Sequence, residues 1–358
     1  MKLVSFPLKR TEILRSVILT VVISVLTLCA VSPLSCAISK DGITLITCET
    51  VPELISFSAD SASCLSFCFD RNIQLDHLRV CELGGDGTIL PCECNSDVFE
   101  AAKLVRLLEP TVTGRQYTVE GVVNDMNANS LLFSIGFKGF NDDMAEILIC
   151  EIRNAYSSKT SQYEYVKFYC MKGGNLSGYE FFTAGDGEEK KFIFPAIKVS
   201  KGEYVTIHLR KMLDSEGNYA QKGMIDEING NKTSSYAVDS SDRSWDFWID
   251  NQKSRISPSD IIILRNTADG RITDAVLLAD PKKLDVGWNT KYDKVRNMVE
   301  NSGVWHDCQG CVSSDISSAV VCSGVTSSSV NKIICRKNFT IPSCSSDWYI
   351  KNNSRRKG

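Results

Sequence analysis

From Asp41 onward, short runs rich in Val, Ile, Leu, Phe and Tyr recur at close spacing, broken by clusters of Gly, Asn, Asp and Ser. Runs of this length bounded by turn residues read as strands, and their repetition builds packed sheets rather than βαβ units. A helix needs a 3.6-residue period over ten or more positions. Only Thr290 to Asn301 carries one, with Tyr292, Val295, Met298 and Val299 on a shared face. The chain is therefore expected to be all-β with one short helix.

Residues 41–141 hold candidate strands at Ile43–Cys48, Glu53–Ser58, Ser63–Phe69, His77–Leu83, Lys103–Leu108, Tyr117–Asn124 and Leu131–Lys138. So many short strands in one domain length predict a two-sheet sandwich of the immunoglobulin (Ig) type. Along Ser63–Phe69 the alternation is clean. Leu65, Phe67 and Phe69 share one face, the core face, while Cys64, Ser66 and Cys68 face away. Further on, Ile261-Ile262-Ile263-Leu264 predicts a strand buried on both faces, and Asp269-Gly270 between two apolar runs predicts a hairpin.

The first 37 residues differ in kind. Lys2, Lys9, Arg10 and Arg15 precede the uncharged run Ser16 to Ala30. That length suits the apolar region of a signal peptide and is short for a helix crossing ~30 Å of hydrocarbon. Pro33 ends the run. Ser35-Cys36-Ala37 offers a small-x-small cleavage site, while Leu34-Ser35-Cys36 resembles a relaxed bacterial lipobox that would make Cys36 a lipidated N-terminus. An uncleaved anchor is the third reading. All three place the rest of the chain beyond the cytoplasm, in the periplasm or on the outer surface.

Four bases and one acid (Glu12) precede residue 38, so the formal charge moves from −3 for the whole chain to −6 beyond that point. A mild acidic balance argues against nucleic acid as a partner. The basic cluster Arg355-Arg356-Lys357 reads as a solvated tail at 353–358. Of fifteen cysteines, thirteen follow Ala37, and in an exported chain the default reading is disulfides, with at least one thiol left over. Histidine is limited to His77, His208 and His306, which removes most general-base and metal arrangements. Cys308-Gln309-Gly310-Cys311, behind His306, has metal-like spacing. Zinc would need a further ligand from Cys322, Cys335 or Cys344, and a disulfide is the competing reading. Acid-rich stretches at Asp186–Glu189 and from Asp239 to Asp250 read as solvated loops. Trp245-Asp246-Phe247-Trp248 is either an exposed aromatic surface for a glycan or protein, or an insertion packed on its own fold.

Two resemblances sharpen this reading. Pro110-x-x-x-Gly114-x-x-Tyr117-Thr118-Val119, followed by Val123-Asn124-Asp125-Met126-Asn127-Ala128-Asn129-Ser130-Leu131, resembles a bacterial Ig-like module. There a strand capped by Tyr leads into a turn held by Asp and Asn side chains, and Ala128 stands where the family often has Gly. The second begins with Ile149-Cys150-Glu151-Ile152 and Tyr165-Val166-Lys167-Phe168-Tyr169-Cys170. It continues through Asn175-Leu176-Ser177-Gly178-Tyr179-Glu180-Phe181, Phe192-Ile193-Phe194-Pro195 and Ser200-Lys201-Gly202-Glu203-Tyr204-Val205. It closes on Ser257–Leu264, Asp269-Gly270 with Asp274-Ala275-Val276, Ser327-Ser328-Ser329 with Arg336, and Ser346-Asp347-Trp348. In this order the segments resemble the lamin-tail domain, an Ig-like β-sandwich of nuclear lamins and many exported bacterial proteins.

The resemblances imply two Ig-like β-sandwiches in tandem: 41–141, then a lamin-tail-like unit over 144–352 with inserted loops, as in an exported bacterial, spirochaete-like protein. Cys150 and Cys170 stand where the family often has Asn, in a hairpin centred near Thr160. They are therefore expected nearly opposite each other, as a disulfide or as two buried thiols. Lys167 replaces the family's usual Glu. Such domains bring no catalytic machinery, so the expectation is a non-enzymatic envelope protein without a cofactor. It would be held to the membrane through its N-terminal segment and play a structural or protein-binding role. A carbohydrate-binding adhesin using Trp245 and Trp248, and a metal- or redox-active protein built on His306, Cys308 and Cys311, are the alternatives.

Overall fold

The computed structural model describes residues 38–39, 42–43, 51–84, 87–94, 97–154, 164–209, 244–249, 256–325 and 332–352. The described residues are mainly strand, with one α-helix, and gather around two separate hydrophobic cores. The all-β expectation holds. Among the described residues, no helix is long and apolar enough to cross a membrane.

The first unit is organised by one 20-residue strand, β2 (Cys64–Leu83). Its N-terminal half pairs with β1 (Leu54–Ser61) on one edge and β3 (Glu100–Leu107) on the other; its C-terminal half pairs with β4 (Gln116–Asp125). Register shifts at Cys68/Ile73 and Leu75/His77 bend the strand between these roles. A bulged strand can pass from one layer to another in this way. The last strand, β5 (Ser130–Lys138), pairs with β4. Rings from strands that share no ladder then meet: Phe57 of β1 and Phe137 of β5 at 5.4 Å, Phe67 and Phe133 at 5.6 Å. The sheet thus folds over a core of Leu65, Phe67, Phe69, Val119 and Val123, with Cys64, Ser66 and Cys68 on the other face as expected.

Two expectations need correction here. Ser63–Phe69 and His77–Leu83 are not separate strands; both lie in β2, because the polar stretch between them continues the ladder instead of turning. Of Ile43–Cys48, only Ile43 is among the described residues, in a two-residue pairing of Gly42–Ile43 with Ile38–Ser39.

The second unit has two sheets facing one core. One comprises β6 (Glu146–Arg153), β7 (Tyr165–Lys172), β9 (Tyr204–His208), β10 (Ser244–Trp248), β13 (Lys332–Arg336) and β14 (Trp348–Asn352), in the order β10-β9-β7-β6-β13-β14. The other is built on β8 (Tyr179–Thr183), β11 (Asp260–Asn266) and β12 (Ile272–Ala279), with short edge pairings at Phe192–Ile193 and Val320–Val321. One apolar cluster joins Ile149, Phe168, Val205 and Phe247 from the first sheet to Phe181, Ile263 and Leu277 from the second. Helix α1 (Asp293–Ser302) buries Val295 and Val299, and Ile261–Leu264 is wholly buried, both as predicted. Asp269-Gly270 forms the β11–β12 turn, with Gly270 at φ 68°.

The two units touch. Asn141 donates from its side-chain amide to the carbonyls of Asn175 (3.0 Å) and Ser177 (2.6 Å). A β-carbon at Gly114 would come within 2.2 Å of the Ala196 methyl, so the close approach requires glycine there.

Candidate binding face on the six-stranded sheet

Alternation along β7 buries Val166, Phe168 and Cys170 in the core and turns Tyr165, Lys167 and Tyr169 to the outer face. The registers extend that face across the sheet. One row runs Tyr349, Cys335, Glu151, Lys167, Thr206, Asp246; the neighbouring row runs Arg153, Tyr165, His208, Trp248. The row of Tyr169 and Tyr204 lies on the other side of Lys167.

Glu151 is the electrostatic centre. Tyr165 donates its hydroxyl at 2.5 Å, Lys167 Nζ lies at 3.4 Å and Lys351 Nζ at 3.7 Å. Burial alone would raise the Glu151 carboxyl, but Lys167, the Tyr165 hydrogen bond and Lys351 outweigh it and hold it below the usual range. Lys167 also sits over the rings of Tyr165 (5.4 Å) and Tyr204 (5.9 Å). Tyr169 packs on Tyr204 at 5.3 Å and on Phe339 at 5.1 Å. Tyr169, Tyr204 and Phe339 are half-buried, Tyr165 is buried, and Tyr349 is 44 % exposed. A pre-ordered Tyr/Lys/Glu surface can hold a polar partner through ring faces and charge without moving.

Toward the other edge the face closes. His208 lies 2.8 Å from Asp246 and stacks on Trp248, ring centroids 4.5 Å apart. Thr206 and Ser244 hydroxyls share a 2.9 Å hydrogen bond. Ser244 pairs with Tyr204 in the parallel ladder, four residues from His208, or roughly 13 Å along the strand. The three residue types of a hydrolase triad are therefore present but not assembled.

The predicted site residues fall as follows. Trp245 and Trp248 are each only 9 % exposed and lie in β10, which adds in parallel to β9; of the two readings, the segment packs on its own fold rather than offering the exposed aromatic surface. Cys170 faces Ile147, and a bulge between Ile149 and Glu151 holds Cys150, whose thiol donates to the Lys167 carbonyl at 3.3 Å. Cys150 and Cys170 are therefore not opposite: the pairing is centred short of Thr160, so Cys170 meets Ile147, and Cys150 sits in the bulge without a ladder partner. Burial pushes both thiols up, Cys170 to about 11. The described cysteines are all free thiols. Cys308 and Cys311 are exposed, Cys322 and Cys335 are buried elsewhere, and Cys344 lies opposite His306 in the Trp305–His306 and Ser343–Cys344 pairing. Among the described residues no group of three His, Cys, Asp or Glu side chains is placed to hold a metal ion. Cys36, with the rest of 1–37, and the basic tail at 353–358 lie outside the described residues.

Two features were not foreseen. The acid-rich stretch Asp186–Glu189 is not simply solvated, since Glu188 pairs with Arg265 (2.8 Å) and Lys294 (2.7 Å), and Glu180 also holds Arg265. The Tyr169, Tyr204 and Phe339 cluster was signalled by the period-2 pattern of β7, but Phe339 reaches it from a distant loop.

Fold and face together define an all-β chain of two sheet-built units that presents an ordered aromatic and charged surface. Residues 145–350 match the family model TP_1001_2nd, described as a protein second domain. The match covers more than half of the chain, and the chain belongs to this family. It is 29 % identical over 174 residues to an "Uncharacterized protein" of Treponema pallidum (strain Nichols), covering 48 % of this chain and 42 % of that protein. The chain thus matches less than half of that relative's length. Among solved structures, it is similar to the N-terminal part of the bacterial S-layer protein SbsC, with 15 % identity, TM-score 0.24, and coverage of 64 % of this chain and 44 % of that one. It is also similar to a DUF4876 family protein of Bacteroides thetaiotaomicron VPI-5482, with 13 % identity, TM-score 0.24, and coverage of 60 % and 76 %.

Proposed function

We propose that this chain is a non-enzymatic, exported envelope protein, held to a membrane through its first 37 residues, that binds another protein through the outer face of its six-stranded sheet. The observation that carries the reading is the half-exposed cluster of Tyr169, Tyr204 and Phe339 beside Lys167, Glu151, Tyr349 and Lys351. Tyrosine-rich surfaces with few free rotors bind at low entropic cost. Basic residues followed by an uncharged run supply the export signal, and Cys36 supplies the lipid attachment. The finer fold reading belongs to the same proposal: an Ig-like first unit and a lamin-tail-like second. It is supported by two sheets on one core and by Arg336, Asp347 and Trp348 closing the chain in the family's order. Fold analogy alone carries that part.

Fractionation of cells producing the full chain tests export. The protein is expected with the envelope, and a variant lacking residues 1–37 in the cytoplasm; cytoplasmic wild type would refute the proposal. A photo-crosslinking residue in place of Tyr349 tests the face. A discrete protein adduct, lost in Tyr169→Ser/Tyr204→Ser, is expected, and a face that yields no adduct is not a binding surface.

A further inference from the structure

The C-terminal segment brings two cysteines together that sequence spacing had not paired. Trp305–His306 runs parallel to Ser343–Cys344, with Trp305 opposite Ser343 and His306 opposite Cys344. Ser343 donates its N–H to the Val304 carbonyl at 2.9 Å, and both Trp305 and Ser343 are fully buried, so the two backbones are fixed against each other. Beyond His306 the chain turns back. The Asp307 carboxylate accepts from the N–H groups of Gln309 and Cys311, each at 2.9 Å, and the Asp307 N–H donates to the Cys311 carbonyl at 2.8 Å. Cys311 thus closes the turn with its backbone. The same turn aims Cys308 at the facing segment: its sulfur lies 3.3 Å from Ser345 Oγ, and the Cys344 sulfur lies 2.9 Å from Ser346 Oγ. The Cys344 side chain itself hydrogen-bonds Cys308. The pair is open to solvent at Cys308, and Cys344 is half-buried.

We propose that Cys308 and Cys344 form a disulfide that closes the 305–344 segment once the chain meets an oxidising compartment. The proposal rests on the export proposed above for its setting, not for its geometry. The Cys308 thiolate attacks one sulfur of an external disulfide, either a protein disulfide donor or oxidised glutathione, and expels the first thiolate. Cys344 then attacks the resulting mixed disulfide. The Cys308–Cys344 bond forms, the mixed disulfide breaks, and the donor leaves as two thiols carrying the two hydrogens. Cys308 is the suited attacker: the Ser345 hydroxyl, then Ser346 and Cys344, hydrogen-bond its sulfur and lower its pKa despite some burial. Cys344 is held in place by the turn it begins, where the Asp347 carboxylate accepts its N–H at 2.9 Å.

Peptide mapping decides it. The purified full-length chain is reduced, oxidised with oxidised glutathione, quenched in acid, alkylated and digested with trypsin. Cys308, Cys311 and Cys322 fall on the fragment Asn297–Lys332, and Cys344 on Asn338–Lys351. A Cys308–Cys344 bond joins the two fragments, whereas a Cys308–Cys311 bond leaves them separate. The joined pair is expected in wild type and in Cys311→Ser, and is expected to vanish in Cys308→Ser. Fragment-ion assignment on the wild-type pair gives the same answer if a variant fails to fold. A bond within Asn297–Lys332, glutathione adducts alone, or alkylated Cys308 and Cys344 after oxidation would each overturn the proposal. Because the oxidation is done on purified protein, a cytoplasmic location of the chain would remove the physiological setting without touching this result.

Discussion

Arg336 Nη1 lies 2.7 Å from Asp274 Oδ2, and neither side chain is exposed to solvent. The pair joins the two sheets of the second unit, since Arg336 ends β13 and Asp274 lies in β12. Every arm of it is anchored. Asp274 accepts the N–H of Ile149 at 2.8 Å, and Arg336 donates to the carbonyls of Ile149, Asn338 and Thr340. The guanidinium also lies over the Trp348 ring at 5.5 Å. Burial pushes the Asp274 carboxyl up, against the pull of Arg336 and the two backbone N–H groups, so the charge depends on its partner.

Arg336→Met should therefore destabilise the second unit by about 3–5 kcal/mol, because it strands a buried carboxylate. Asp274→Asn/Arg336→Met together should cost less than Arg336→Met alone. Urea unfolding followed by tryptophan fluorescence reads both, and additive losses would show that the two side chains act independently.

Trp248 stacks on His208 within the sheet, so its removal should be felt in folding before binding. Trp248→Ala is expected to cost about 3–5 kcal/mol, as for other buried aromatic truncations. A thermal midpoint unchanged from wild type would mean that the indole is dispensable to the sheet.

Ala128 adopts φ 63° in the turn that Asp125 holds by accepting the N–H groups of Asn127 (2.9 Å) and Asn129 (2.8 Å). A left-handed L-residue costs about 1–2 kcal/mol, and the side chain here is exposed, so nothing offsets that cost. Ala128→Gly should stabilise the first unit by about 1 kcal/mol, visible as a raised midpoint of its unfolding transition. A lowered midpoint would indicate that the methyl group is needed.

That turn shows what the sequence made legible. The Asx turn, the core face of Leu65, Phe67 and Phe69, the Asp269-Gly270 hairpin and the helix bearing Val295 and Val299 all rest on local signals of period and turn chemistry. Register and long-range pairing do not. The β6–β7 register is centred at residue 159 or just short of it, which sets Cys150 off the rung of Cys170, and a bulge then takes Cys150 out of the ladder; no local pattern marks either. The Trp245–Trp248 run pairs with β9 residues 40 positions earlier, so a burial that depends on that pairing left no trace in the run itself. Phe339 beside Tyr169, and Cys308 beside Cys344, are likewise products of topology.

Thiol reactivity should follow those environments. In reduced native protein at neutral pH, Cys308 should be alkylated first, being exposed and lowered in pKa by the Ser345 hydroxyl. Cys150 and Cys322 should react only on unfolding, because burial pushes both thiols up, Cys322 to about 12. Timed iodoacetamide labelling with peptide mapping gives the order, and early labelling of Cys150 would contradict its place in the bulge.

Asp260 supplies a pH dependence of opposite sign to that of most carboxylates. It is fully buried at the start of β11, where it accepts the N–H groups of Gly185 (2.8 Å), Ser257 (2.8 Å) and Ile261 (2.9 Å). Burial is the largest influence and outweighs those three donors, raising the carboxyl from 3.8 to about 7. Between these values the folded chain binds a proton at Asp260 that the unfolded chain does not. The stability from this site is thus fully present below the unfolded value and is lost as pH rises through about 7, by up to about 1.4 kcal/mol per pH unit within the window. Glu151, Glu188 and Asp347 are lowered and contribute the reverse trend, so the total would hide the effect. The difference between wild type and Asp260→Asn isolates it. Urea unfolding at about pH 4.5, 6 and 7.5 should show wild type losing stability relative to the variant at each step. A difference that grows in favour of wild type with pH would mean that the three N–H donors dominate and that the carboxylate stays charged in the core.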